Sequence, residues 1–106
     1  MDDSLQKKIQ GLPWLKSYQI PGCPEDVIMV DFRRPDFKKP VILRENVWVR
    51  IDSIEGHVFR CTVVRQPRMD WKINKGDPIL VEYYFFENAH WFSCVTVEEK
   101  FGFEWL

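Results

Sequence analysis

The sequence predicts a single α+β domain, mainly antiparallel β: a strongly bent sheet or small barrel of about five strands with a short N-terminal helix. Two observations carry this. Residues 46–67 (NVWVRIDSIEGHVFRCTVVRQP) alternate apolar and polar side chains on either side of Glu55-Gly56, the period of two half-buried strands joined by a turn. A second pair of such runs, 79–86 and 89–98, follows Asn74-Lys75-Gly76-Asp77-Pro78, a strong turn signal. A chain of 106 residues is long enough for one domain, 1–106, and one core.

Taken in order, Asp3 or Ser4 caps a short helix that runs to about Gln10. Leu5, Ile9 and Leu12 line one side of it, and Gly11 and Pro13 end it. So short a helix needs the sheet beneath it to be stable. Trp14, Leu15, Tyr18 and Ile20 continue as an irregular or one-turn segment, and Pro21-Gly22-Cys23-Pro24 forms a turn. Residues 27–32 (VIMVDF) read as a first strand, with Ile28, Val30 and Phe32 on one face. The polar, proline-punctuated stretch 33–40 reads as a long exposed loop, because two prolines do not suit a sheet interior.

In the central hairpin Val47, Val49 and Ile51 oppose Trp48, Arg50 and Asp52, and on the return Phe59, Cys61 and Val63 share a face. Gly56 supplies the positive φ of a tight turn. Residues 65–73 read as polar and irregular, with Met69, Trp71 and Ile73 their only apolar members. A turn at 87–90 joins the last two strands, and the tail 100–106 (KFGFEWL) reads as an edge strand or a flap over the core.

Composition gives 45% hydrophobic and 29% charged residues, a globular profile and not a disordered one. Eight Phe, five Trp and three Tyr exceed what a core this small readily absorbs, so some are expected at a contact surface. No signal peptide or membrane-spanning apolar run is visible. Cys23, Cys61 and Cys94 lack metal-ligand spacing. They read as buried free thiols in a reducing cytoplasm, with a bridge between Cys61 and Cys94 as the alternative. Net charge is −1 but uneven: residues 33–75 carry +6, residues 76–106 carry −5. Strands of opposite sign facing one another account for this, as does a surface with one basic face.

Two histidines, His57 and His90, fall at turns and share no local arrangement with a nucleophile. The expectation is therefore a non-enzymatic interaction module with no cofactor and no metal site, binding a protein partner or a second copy of itself. Its surface would be the aromatic second hairpin, through Tyr84, Phe86, Trp91 and Phe92. The alternative is single-stranded nucleic-acid binding by Arg33, Arg34, Phe37, Lys38 and Lys39, cations flanking an aromatic. A small enzyme with an unrecognised site is the second alternative.

Glu45-Asn46-Val47-Trp48-Val49-Arg50-Ile51, then Gly56, the returning strand and Lys75-Gly76-Asp77 resemble the YegJ-like small bacterial domains of unknown function. The resemblance covers about residues 44–82. It implies a bacterial or phage-like cytoplasmic β domain and brings no catalytic residues with it.

Overall fold

The computed structural model describes residues 3–36, 38–86 and 89–95, with the backbone alone at 34–36, 84–86 and 89–95. Helix α1 (Asp3–Gln10) leads into a 3-10 helix (Pro13–Ser17). The strands are β1 (Val27–Asp36), β2 (Val41–Glu55), β3 (Val58–Val63), β4 (Pro78–Phe86) and β5 (Ala89–Val95). All neighbours pair antiparallel, in the order β1-β2-β3-β4-β5. β5 is placed by its backbone ladder to β4. Among the described residues no pairing joins β1 to β5, so the sheet is not closed, although the two strands approach within 8 Å (Cα–Cα).

Alternation decides which face is buried. Ile28, Val30 and Phe32 of β1, Val47, Val49 and Ile51 of β2, Phe59, Cys61 and Val63 of β3, and Ile79 and Val81 of β4 form the inner face, all buried. At Asp52 the β2–β3 register slips by one residue, from Ile51↔Cys61 to Ser53↔Arg60. The bulge resets the alternation, so that Ile54 turns inward where strict period two would place Ser53. Leu5 and Ile9 of α1 and Leu15 of the 3-10 helix close this same face, and Lys8 Nζ donates to the Ile54 carbonyl (2.9 Å). Trp14 stacks on Tyr83 with ring centroids 4.0 Å apart and packs against Phe59.

The fold corrects three expectations. Residues 33–36 are not loop: β1 continues through Arg33, Arg34, Pro35 and Asp36, paired with Arg44, Leu43, Ile42 and Val41. Proline is accommodated because β1 is an outer strand of the sheet. Arg33, Lys38 and Lys39 are exposed, while Phe37 and the Arg34 side chain lie outside the described residues. Second, Ala89 and His90 belong to β5, opposite Phe86 and Phe85, and not to the turn. Third, Cys23 is only partly buried; Cys61 is a buried free thiol, as read, and the Cys94 side chain lies outside the described residues. The tail 100–106 and the final residues of the expected last strand, 96–98, also lie outside them.

The β3–β4 connection, read as irregular, supplies a core residue. Trp71 is 1% exposed and meets Phe32 edge-on, with centroids 5.6 Å apart, and Ile73 is buried beside it. The turn that follows is stitched to β3. Gly76 (φ 94°) donates to the Val63 carbonyl, and the Asp77 carboxylate accepts from the Asn74 N–H. Replacing Trp71 by Ala should cost about 3–5 kcal/mol of unfolding free energy, as for other large core aromatics. Ile42→Ser, at a position 65% exposed, should stay within about 0.5 kcal/mol. Urea unfolding followed by circular dichroism checks both.

Candidate functional site

Where β3 ends at Val63, β2 runs on from Glu45 to Trp48, and residues 65–68 cross beside it. Together they line a cleft of about 220 Å³, formed by Glu45, Asn46, Val47, Trp48, Arg65, Gln66 and Arg68. Sequence reasoning did not assemble this site. Its members are about twenty residues apart in the chain, and no local pattern joins them.

Glu45 builds the cleft. By register it shares a face with Phe32, at the end of the inner face. One carboxylate oxygen accepts from the Met69 N–H and the Trp71 Nε1–H, both at 2.9 Å, and the other accepts from the Arg68 N–H at 2.7 Å. Burial by itself would push this carboxyl up. The three donors and the Arg68 charge outweigh it and hold the group below its ordinary value of 4.5. Gln66 fixes the other side of the loop, donating to Asn74 Oδ1 and accepting from the Lys75 N–H.

Trp48 occupies the opposite face of β2, half-buried, with Met29 across the ladder on β1. The Arg65 guanidinium lies over its ring, 4.7 Å from the centroid. Along that outward face stand Arg44, Asn46, Trp48 and Arg50, with Arg33 opposite Arg44. Like charges across a ladder repel. A single carboxylate, Asp31, resolves the conflict by accepting from Arg33 (2.7 Å) and Arg44 (2.9 Å). Asp52 pairs with Arg50 at 3.0 Å and also takes the Thr62 hydroxyl. Among the described residues Arg65 and Arg68 make no ion pair.

The expected aromatic set divides between two faces. Register sets Tyr84 opposite Trp91 and Tyr83 opposite Phe92. Tyr84, Phe86 and Trp91 therefore share the outward face of the ladder, and Phe92 belongs to the inner one; their side chains lie outside the described residues. His57 is exposed in the β2–β3 turn, and its carbonyl accepts from the Tyr83 N–H. His90 lies on the other side of β4, opposite Phe85 and so two residues further along than His57, which sets the two histidines about 12 Å apart by strand geometry. Among the described residues no three His, Cys, Asp or Glu side chains converge as metal ligands, and no helix is long and apolar enough to cross a membrane. No family model matches the chain, and neither a curated protein nor a solved structure was found that matches it.

The depressed Glu45 value makes a pH prediction. A carboxyl held below its unfolded value contributes stability that is present above about pH 4.5 and is lost as pH falls through the folded value. Glu45→Gln should lower stability at pH 7 by about 1–3 kcal/mol. The deficit relative to wild type should shrink as the pH is taken below 4.5. Urea midpoints of both proteins across that range provide the check; a deficit that does not change with pH contradicts the assignment.

Proposed function

We propose that this domain is a non-enzymatic interaction module, cytoplasmic and built on a small, partly open barrel, that binds a protein partner or a second copy of itself through the outward face of the β4–β5 hairpin. The observation that carries this reading is the side on which the helices lie. Among the described residues α1 and the 3-10 helix lie over the inner face, where Trp14 stacks on Tyr83, and not over the face that register assigns to Tyr84, Phe86 and Trp91. Register gives these three aromatics neighbouring positions on one ladder face, and aromatic residues are the types that dominate interfaces. Among the described residues several carboxylates have structural duties: Glu45 holds a loop, Asp31 and Asp52 hold arginines, and Asp77 closes a turn. The likeness of residues 44–82 to the YegJ-like domains belongs to the same reading and adds no catalytic group.

Sedimentation velocity over the micromolar range, combined with iodide quenching of wild type and Trp91→Phe, tests it. Either concentration-dependent self-association abolished by Tyr84→Ser, or a monomer whose Trp91 is quenched as an exposed indole, supports a contact surface here. A monomer at all concentrations whose Trp91 is shielded overturns it, because the chain itself then covers the face.

A further inference from the structure

We propose that the outward face of β2, with Arg65 over Trp48, is a track for single-stranded nucleic acid. Arg44, Asn46, Trp48 and Arg50 occupy alternate positions of one strand, so same-face neighbours stand about 6.7 Å apart in a straight line. Arg33 lies beside Arg44 across the ladder. The guanidinium-bearing side chains are accessible: Arg33 and Arg44 at 59%, Arg50 at 48%. Among the described residues Arg33 and Arg44 pair with Asp31 and Arg50 with Asp52, so the three arginines share two carboxylates, and Arg65 adds a further cation to this face.

The chemistry selects the ligand. The Arg65 guanidinium lies over the Trp48 ring, 4.7 Å from its centroid; an indole and a guanidinium held together offer a nucleobase two groups on which it can stack. Asn46 offers an amide donor and acceptor at the mouth of the same cleft, where a base edge can be read. Arg44 and Arg50, to either side, take phosphates. An acidic peptide satisfies the arginines but gives the planar stack nothing to hold, and a duplex keeps its base faces hidden. The track differs from the nucleic-acid reading of the sequence, which centred on Arg33, Arg34, Phe37, Lys38 and Lys39: it shares Arg33 with that reading and is centred on Trp48 and Arg65.

The test is fluorescence anisotropy of labelled, mixed-sequence single-stranded RNA and DNA with the full chain across a salt series. A matched duplex and polyglutamate serve as competitors. Binding should weaken linearly in log–log form, with a slope of about −0.7 per phosphate neutralised. Arg44→Gln and Arg50→Gln should each flatten that slope by close to one phosphate contact. Trp48→Ala should weaken binding about ten-fold at each salt concentration, with Trp48→Phe restoring most of it. Since Trp48→Ala can disturb the sheet, Arg65→Gln tests the same stack from an exposed position. No binding at low salt, equal competition by duplex or polyglutamate, or affinity unchanged in the arginine variants overturns the proposal. Tyr84→Ser should leave nucleic-acid affinity intact, which separates this result from the β4–β5 interface.

Discussion

The carboxylate of Glu45 is the contact on which the rest of the molecule depends. Its three N–H partners belong to a segment more than twenty residues downstream, so one side chain closes the longest connection in the described fold. The Trp71 indole N–H donates to that carboxylate, which satisfies it while the ring fills the end of the core. Ile73 follows it inward, Phe32 gains an edge-on neighbour, and residues 65–68 are held beside β2, where Arg65 meets Trp48. Core and cleft thus share one constraint: the group that completes the first also shapes the second.

Much of the sheet was legible in the sequence because a curved sheet with a single buried face writes its period directly into the chain. Val47, Val49 and Ile51, then Phe59, Cys61 and Val63, are buried as the alternation requires. The short helix, the Gly56 turn and the Asp77 side-chain bond in the following turn were legible for similarly local reasons. What escaped was set at long range. Residues 33–36 look like loop because they extend beyond the core and have no apolar face to reveal; only their partners in β2 make them strand. Trp71 and Ile73 look like isolated apolar residues in a polar loop, since the acceptor that lets Trp71 be buried is Glu45. The bulge at Asp52 left no signal, because a polar residue at that position fits either register. The cleft was missed for the same reason as the loop that lines it.

The two faces of the sheet do different work. The inner one is aliphatic and aromatic, sealed by α1 and by Trp14, and it supplies the stability of a chain with only one core. The outer one carries two arginines bridged by Asp31, a third paired with Asp52, and a tryptophan beneath a guanidinium. Its electrostatics are arranged so that like charges tolerate close approach: Asp31 lies between Arg33 and Arg44, and Asp52 spans Arg50 and Thr62. Such bridges are worth little as stability at exposed positions. They keep cationic side chains ordered on a pleated surface, which is what recognition of an extended partner needs.

The extension of the first hairpin past the core has a bearing on how crowded copies of this chain behave. Its β2 limb exposes Val41 and Ile42, 49% and 65% accessible, on a two-stranded ribbon that has left its supporting layer. A bare apolar ribbon of this kind is a template on which foreign strands assemble. Here Pro35 offers no N–H across from Ile42, and residues 33–44 carry five Lys and Arg against one acid, Asp36, which stands opposite Val41. The arm is thereby guarded against edge-to-edge growth by mutual repulsion, and that guard weakens as salt screens it. Colloidal stability, and not only folding, is written into the same dozen residues.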